Sequence, residues 1–410
     1  MPNKKKDQDE LQVLGSHPVE TTRQTFESLG LDAGILKSVK AVGFLHPTPI
    51  QSAVIPAALA ATDIIGLAET GSGKTAAFVI PIASRLQHGE GLRGLIVCPT
   101  REIALQTKAF LDLFGSHHGL KTVCVIGGVK MGPQIHDLKD GADIVVATPG
   151  RLVDHMTRRN VSLGEIEELV LDEADHMLDL GFLPQLNRIL EKIPKKRHTM
   201  MFSATMPSAI ERLARLHLAD PIRIDILPKG RTAQGITHRL YMVDEPDKKK
   251  CLLALLNQEL GSTLVFTRRK LDADWLCRAL EKEGHPVTNI HSDRSQGERT
   301  SALKGFREGA HRILVATDIA SRGIDIPNIQ HIINFDIPQT VEEYIHRAGR
   351  TARMDATGLV STIATWLDKE MVKKIEETVQ QEIPRCTVAG VAPYVEQKPR
   401  PFDRRKRRRR

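Results

Sequence analysis

The stretch IIGLAETGSGKT, residues 64–75, decides the fold of the first half of the chain. Its apolar start, Ile64–Leu67, predicts a buried strand, and the glycines after it predict a tight turn into a helix. Backbone N–H groups in such a turn can surround phosphate oxygens. Lys74 can reach the β and γ phosphates of a nucleotide, and the Thr75 hydroxyl can bind Mg²⁺. We therefore predict a nucleotide-binding P-loop, although Ala68 stands where the strict pattern has Gly.

The sequence around the P-loop alternates short apolar runs with amphipathic segments. This alternation is typical of a mostly parallel sheet with both faces covered by helices. The polar stretch LPKGRTAQG, residues 227–235, interrupts it and predicts a linker. Strands are predicted at 64–67, 95–98, 122–126, 144–147, 169–171, 199–202, 222–226, 238–243, 263–267, 287–290, 313–316, 331–334 and 360–365.

The two halves of this alternation predict two α/β domains of similar layout. A first domain is expected over 23–226 and a second over 238–384, joined by a linker over 227–237. The termini, 1–22 and 385–410, are expected to be flexible.

The charge of the chain is concentrated at its C-terminal end. The last ten residues, PFDRRKRRRR, hold seven basic side chains and one acidic one, and so carry +6 of the formal net charge of +8. Like charges in such a run cannot pack together, and they attract nucleic acid. A sorting signal and a solubility tail are the alternatives.

Cysteine usage and hydropathy indicate a cytoplasmic protein without a membrane segment. The five cysteines are scattered and form no C-x-x-C pair, which argues against a disulfide framework or a structural zinc. The N-terminus has no apolar stretch that could act as a signal peptide. The longest apolar run, residues 53–61, contains Pro56 and is too short to span a bilayer.

The stretch VLDEADHML, residues 170–178, places three carboxylates in four positions. Taken alone it is either a solvated loop or a strand that directs carboxylates at a metal. A P-loop ATPase needs a second strand that ends in an Asp near Mg²⁺, and Asp172 occupies that position. Glu173 is then placed to accept a proton from the attacking water. His176 and Asp179 have no predicted function and are expected in a polar loop.

Further motifs follow in a fixed order: GFLHPTPIQ (43–51), PTREIA (99–104), TPGR (148–151), SAT (203–205), VFTRR (265–269), QGER (296–299), ATDIASRGIDIP (316–327) and HRAGRTAR (346–353). From about Phe26 to Val372 the chain resembles the DEAD-box ATP-dependent RNA helicases of superfamily 2. The resemblance implies two tandem RecA-like domains that close over ATP and RNA together. It also implies RNA-stimulated ATP hydrolysis coupled to local unwinding of short RNA duplexes or to remodelling of RNA–protein complexes.

The resemblance also assigns residues to an ATP and Mg²⁺ site. Phe26 would stack on the adenine, and the Gln51 amide can pair with the adenine edge. Arg347 and Arg350 share a helix face and would act as arginine fingers on the γ-phosphate. The catalytic set is Lys74, Asp172, Glu173, Arg347 and Arg350, and the metal ligands are Thr75 and Asp172. The nucleotide-binding set is Phe26, Thr48, Gln51, Thr70, Gly71, Ser72, Gly73, Lys74, Thr75, Gly323 and Asp325.

The remaining motifs resemble RNA contacts of this family. Hydroxyls, arginines and free backbone N–H groups at strand ends suit sugar–phosphate binding, which carries little sequence specificity. Ser203 and Thr205 would couple hydrolysis to RNA separation through hydrogen bonds with Asp175. The implied RNA-binding residues are Pro99, Thr100, Arg101, Gly127, Gly128, Thr148, Pro149, Gly150, Arg151, Arg268, Arg299, Thr317, Asp318 and Arg322.

Two other functions share most of these motifs. One is an ATP-gated RNA clamp or assembly factor in which unwinding is incidental, and the other is a DNA helicase or translocase. The compact size and the short basic end resemble the bacterial RhlE-like subgroup, which suggests ribosome-assembly or RNA-decay proteins as partners. One departure from the family pattern is Ala352, which stands where Gly is usual. Its added methyl group is expected to have little effect.

Overall fold

The computed structural model describes residues 24–68, 71–226, 235–258, 261–318, 329–352 and 357–391. These residues form two compact units, unit 1 up to residue 226 and unit 2 from residue 235 onwards. In both, the paired strands are parallel. Helices cover the sheets, which confirms the predicted fold class.

Unit 1 is built on a 7-stranded sheet with the order β3-β4-β2-β5-β6-β1-β7. Ligands of such open sheets bind outside the carboxyl ends of the strands, where the strand order reverses. The strands are β1 Ile64–Leu67, β2 Gly94–Val97, β3 Thr122–Val125, β4 Ile144–Ala147, β5 Glu168–Leu171, β6 His198–Ser203 and β7 Ile222–Asp225.

Helices cover both faces of this sheet. Successive strand residues point to opposite faces, so Ile64 enters the core under α1–α4 and Ile65 enters the core under α6–α9. The helices are α1 Ala33–Ala41, α2 Pro49–Leu59, α3 Lys74–Arg85, α4 Arg101–Phe114, α5 Met131–Lys139, α6 Pro149–Thr157, α7 Ala174–Asp179, α8 Leu183–Leu190 and α9 Ser208–His217. Short 3₁₀ helices lie at Phe26–Leu29 and Gly115–His118.

Unit 2 is built on a 6-stranded sheet with the order β10-β11-β9-β12-β13-β8. Its strands are β8 Ile236–Met242, β9 Thr263–Thr267, β10 Val287–Ile290, β11 Ile313–Thr317, β12 His331–Asn334 and β13 Gly358–Ala364. Its helices are α10 Lys248–Gln258, α11 Lys270–Lys282, α12 Gln296–Arg307, α13 Val341–Ala348 and α14 Lys369–Val379, with 3₁₀ helices at Glu245–Asp247 and Trp366–Asp368.

Each predicted strand is present, with ends that differ by two residues at most. Two predicted boundaries need correction. The linker ends before 237, because β8 begins at Ile236. The segment 385–391, predicted as part of a flexible end, is ordered: Cys386 N–H donates to Leu240 O, and Val388 is buried in the core. The N-terminal segment, most of the linker and the basic run 404–410 lie outside the described residues.

Ala352 also differs from expectation. Its φ is +54°, in the left-handed region that a Cβ disfavours. The methyl group at this position therefore costs stability, contrary to the small effect expected from the sequence.

The strain at Ala352 predicts that Ala352→Gly raises the free energy of unfolding by about 0.5–1 kcal/mol, since glycine adopts this conformation without steric cost. Thermal or urea unfolding of the full chain measures it. The control is Ala279→Gly in the middle of α11, which should lower stability by roughly 1 kcal/mol. Equal losses for both variants would contradict the strain argument.

Candidate functional site

The P-loop lies where the sequence predicts it, between the end of β1 and the start of α3. Gly71 and Gly73 have φ of +87° and +95°, which favours glycine at both. A Cβ at Gly73 would lie 2.6 Å from Gln51 Nε2 and 2.9 Å from Thr48 Oγ1. Space as well as conformation therefore requires glycine there. Thr70 lies outside the described residues.

Lys74 opens α3 with its side chain directed back over the loop. The residue is buried, and its Nζ donates a hydrogen bond of 2.8 Å to Ala68 O. Ser72 and Thr75 are partly exposed at the same turn. The Lys74 ammonium lies beside the loop that contains Gly71 and Gly73. It can therefore neutralise the negative charge of a nucleotide phosphate, while the backbone N–H groups of the loop can donate hydrogen bonds to the phosphate oxygens.

The carboxylates of residues 172–175 follow β5, two strands away from β1. Asp172 is 4% exposed, and its Oδ1 is buried without a hydrogen-bond partner among the described residues. Burial raises the pKa of Asp172, the neighbouring Glu173 raises it further, and Lys74 opposes the shift. The charged form of Asp172 is therefore disfavoured by burial and by Glu173, and only partly stabilised by Lys74.

Glu173 adopts a conformation that is uncommon for its residue type. It precedes α7 with φ +49° and ψ +55°, in the left-handed region. Such strain persists where the surrounding structure enforces it, and it is common at functional sites. Here it places a buried carboxylate next to Asp172.

Asp175 connects α7 to the SAT motif at the end of β6. Its Oδ2 accepts hydrogen bonds from Ala204 N–H (3.1 Å), Thr205 N–H (2.8 Å) and Thr205 Oγ1 (2.9 Å). Its own N–H donates to Ser203 Oγ, 3.3 Å away. The structure thus brings together the three residues predicted to couple the two motifs.

His176 is a site residue that the sequence interpretation missed. It lies in α7, not in a polar loop as expected, and only 3% of its side chain is exposed. Its Nδ1 is 3.0 Å from Glu173 Oε2. A carboxylate only accepts hydrogen bonds, so Nδ1 carries the proton and donates it. The spacing of three residues at a helix start could have indicated this contact.

The His176 contact predicts a positioning effect on Glu173. His176→Ala should lower kcat for ATP about 10-fold, comparable to the loss of one hydrogen bond of 1–1.5 kcal/mol, with little change in KM. His176→Asn keeps a donor near Nδ1 and should recover part of the rate. Steady-state ATPase kinetics measure both. A loss of protein stability without a change in kcat would assign His176 a purely structural role.

Gln51 contacts the P-loop directly. Its Oε1 accepts from Thr48 N–H (2.9 Å), and its Nε2 donates to Gly73 O (3.1 Å). Each end of the amide therefore makes one hydrogen bond within the protein, and the residue is buried. The geometry supports a brace between α2 and the P-loop, and the amide has one further donor and one further lone pair with which adenine could pair.

Phe26 also differs from its predicted role. The ring is 2% exposed and belongs to the core of unit 1, where it packs beside Phe44 with a centroid distance of 6.2 Å. The free face that stacking on adenine requires is absent in this conformation. Its aliphatic and aromatic surroundings explain the burial, which the sequence alone could not reveal.

The RNA motifs predicted in unit 1 converge at the ends of three neighbouring strands, β2, β4 and β3. Arg101 lies against Gly128, where any Cβ would overlap its guanidinium. Thr148 Oγ1 accepts from Gly127 N–H (3.3 Å), and Arg151 Nη1 donates to Val129 O (3.0 Å). The associated residues Pro99, Thr100, Pro149 and Gly150 lie at the same strand ends, where Thr100 caps α4.

Arg347 of unit 2 is held within its own unit. Its Nε and Nη2 donate to the two carboxylate oxygens of Asp318 at 2.6 and 2.7 Å, and Nη1 donates to Asn334 Oδ1 and Asp336 O. Its side chain is 3% exposed and stacks on the Phe266 ring. The predicted finger role of Arg347 and the predicted RNA contact of Asp318 are therefore not supported by this geometry.

The other residues predicted in unit 2 are only partly described. Arg350 and Arg299 are buried, Thr317 ends β11, and Arg268 is exposed with its N–H donating to Asp336 Oδ2. Arg322, Gly323 and Asp325 lie outside the described residues.

Two family models match this chain, one within unit 1 and the other within unit 2. Residues 48–213 match the DEAD/DEAH box helicase model, and residues 247–355 match the helicase conserved C-terminal domain. The chain belongs to the DEAD-box family of ATP-dependent RNA helicases. It is therefore an ATP-hydrolysing enzyme.

Curated members of the DEAD-box family resemble the chain over most of its length. An ATP-dependent rRNA helicase RRP3 from Scheffersomyces stipitis is 42% identical over 372 residues, which cover 89% of this chain and 76% of the relative. A DEAD-box ATP-dependent RNA helicase RhpA from Helicobacter pylori is 39% identical over 88% of this chain and 74% of its own.

A solved structure agrees in fold. The S. cerevisiae protein Dbp5, bound to RNA and ADP BeF3, has a TM-score of 0.79 and 29% identity, and the match covers 88% of this chain and 95% of that one. Within its described part, the present chain has no helix that combines the length and apolar character needed to cross a bilayer.

Proposed function

We propose that this chain uses RNA-stimulated ATP hydrolysis to separate short RNA duplexes locally or to remodel RNA–protein complexes. The observation that carries the proposal is the buried pair Asp172 and Glu173 close to Lys74, joined through Asp175 to the SAT motif. The motifs predicted to bind RNA follow β2, β3 and β4, and so lie at the same edge of the same sheet. Nucleotide chemistry and RNA binding therefore share one side of unit 1.

Mg²⁺ fits the donors that the site offers. Asp172 supplies a buried carboxylate oxygen that has no hydrogen-bond partner among the described residues, and Thr75 supplies a hydroxyl at the start of α3. Hard oxygen donors in this small number suit Mg²⁺, which keeps several waters and binds nucleotide phosphates. When bound, Mg²⁺ would neutralise charge that develops on the β and γ phosphates.

Each residue of the site then has a separate role in hydrolysis. Lys74 and the N–H groups of Gly71–Gly73 hold the phosphates. Glu173 accepts the proton of the attacking water, with His176 fixing its orientation. Asp175 transmits a change in this region to Ser203 and Thr205 through the hydrogen bonds it makes with them.

Arg350 is the proposed arginine finger from unit 2 in the ATP- and RNA-bound form, together with Gly323 and Asp325 as ribose contacts. Arg347, engaged by Asp318, positions the C-terminal end of α13 and the turn after it, where Arg350 N–H donates to Arg347 O. Because both ligands favour the same closed form, each raises the affinity for the other. The domains are proposed as 23–226 and 236–391, the second beginning with β8 and extended by the ordered segment that contains Val388.

RNA contacts are proposed to be mainly to sugar and phosphate. The glycine-backed cluster of Arg101, Gly127, Gly128, Thr148 and Arg151 offers guanidinium, hydroxyl and N–H donors without a base-reading surface. A relative named as an rRNA helicase and a structural neighbour bound to RNA support RNA as the ligand class. We also propose cytoplasmic localisation and partners in ribosome assembly or RNA decay, as in an RhlE-like protein.

The alternative is an ATP-gated RNA clamp, because the site is the same for both functions. A strand-displacement assay on a short RNA duplex tests for unwinding, and the lifetime of the RNA complex with a non-hydrolysable ATP analogue tests for clamping. Displacement within one ATP turnover supports the helicase. A long-lived complex with no displacement supports the clamp.

The basic run 404–410 is proposed to tether RNA without sequence specificity. Deleting Arg404 to Arg410 should weaken RNA affinity mostly at low salt and reduce the slope of log Kd against log salt, because fewer counterions are released. The affinity is measured by fluorescence anisotropy at several salt concentrations. An unchanged slope would contradict the tethering role.

A further inference from the structure

A groove lies in unit 1 between the C-terminal end of α6, the loop after it and α8, and has a volume of about 650 Å³. We name it the α6–α8 groove. Its floor is apolar: Val153 and Leu163 belong to the core, and Met156 and Val161 pack against that core while still partly exposed. A floor of this kind is suited to one or two aliphatic or aromatic side chains.

The rim of the groove is mainly basic. Arg159, Arg188 and Lys192 line it and are exposed, whereas Glu191 is the one acidic residue among the lining side chains. Arg159 has φ +58°, a conformation that usually favours glycine after a helix. An arginine thus occupies this position although its backbone conformation is less favourable for arginine than for glycine.

The position of the groove connects it to the two motif-bearing helices. α6 begins at the TPGR motif, and its other end forms one wall of the groove. α8 follows α7, the helix that carries Asp175 and His176, and forms the other wall. An occupant would therefore contact the far ends of elements whose near ends hold the proposed RNA and ATP residues.

We propose that the α6–α8 groove binds an acidic segment of a partner protein that inserts one or two large apolar side chains. The apolar floor takes the inserted side chains, and the basic rim pairs with the flanking carboxylates. A protein segment fits better than RNA, because none of the described side chains that line the groove is an aromatic one on which a base could stack. This site is separate from the residues of the proposed function.

Binding is tested on the full chain by fluorescence anisotropy with a labelled peptide, Asp-Glu-Asp-Leu-Leu-Glu-Phe-Asp. A second peptide has Ser in place of Leu and Phe, and a third has Asn and Gln in place of the acids. The basic run 404–410 attracts both acidic peptides, so the Ser peptide measures that background. We expect the first peptide to bind at least about tenfold more tightly than either of the others.

Two variants locate the binding. Arg188→Glu with Lys192→Glu reverses the rim, and Ser162→Trp fills the groove from an exposed position. The control, Lys37→Glu with Arg212→Glu, makes the same charge change at two other exposed positions of unit 1. Both groove variants should weaken binding of the first peptide about tenfold, the control should not, and ATP turnover without peptide should stay unchanged.

Equal peptide affinity in wild type, groove variants and control would overturn the proposal. It would also be overturned if reversal of the rim weakened binding of single-stranded RNA as much as binding of the peptide. The groove would then belong to an RNA path.

Discussion

Glu173→Gln is expected to reduce ATP turnover by about 10²–10⁴-fold and to leave ATP-dependent RNA binding intact. The amide has nearly the same shape as the carboxylate but cannot accept the proton of the attacking water. Glu173 is buried beside Asp172, so the change also removes a negative charge that raises the pKa of Asp172. Nucleotide affinity should therefore hold or rise while hydrolysis stops.

Single-turnover hydrolysis and RNA binding with and without ATP measure the two effects separately. Glu165→Gln, an exposed position in the same unit, is the matched control and should behave like wild type. Turnover at the wild-type rate in Glu173→Gln would remove the general-base assignment. A joint loss of hydrolysis and ATP-dependent RNA binding would assign Glu173 a structural role.

Asp318→Ala is expected to lower the free energy of unfolding of unit 2 by roughly 3–5 kcal/mol. The Arg347 guanidinium is almost fully buried and gives two of its hydrogen bonds to this carboxylate. Removing the acid leaves an uncompensated charge in the core. Arg347→Ala should cost a similar amount, because Asp318 and Asn334 each lose a buried donor and space opens above Phe266.

Denaturant unfolding measures these losses, and a double variant separates structure from chemistry. Arg347→Met combined with Asp318→Leu replaces the pair with apolar side chains and should recover most of the stability. If ATP turnover also recovers, Arg347 acts by positioning. A double variant that is stable but inactive would restore the finger role first predicted for Arg347.

The elements that sequence patterns predicted well are those that local chemistry determines. The short apolar runs Ile64–Leu67 and Ile144–Ala147 form buried strands, and both strands begin and end where predicted. The P-loop glycines and the acids after β5 are likewise set by short-range requirements of φ and of strand direction. These features made the fold and the position of the site predictable.

The contacts that the motifs did not reveal join residues that are distant in sequence. Arg347 meets Asp318 across 29 positions, and Gln51 meets Gly73 across 22. Motif order gives no information about which donors are already occupied inside the protein. Phe26 has the residue type for base stacking, but the packing of unit 1 covers its ring. Only three-dimensional contacts separate a side chain that is available for a ligand from one that is engaged by the core.

RNA is expected to control ATP hydrolysis by this chain. The most direct measurement is the steady-state rate of ATP hydrolysis by the full chain with Mg²⁺, without nucleic acid, with single-stranded RNA and with DNA of the same sequence. We predict a low rate alone, a marked increase with RNA and little increase with DNA. Equal rates under the three conditions, or stimulation by DNA as strong as that by RNA, would contradict the account.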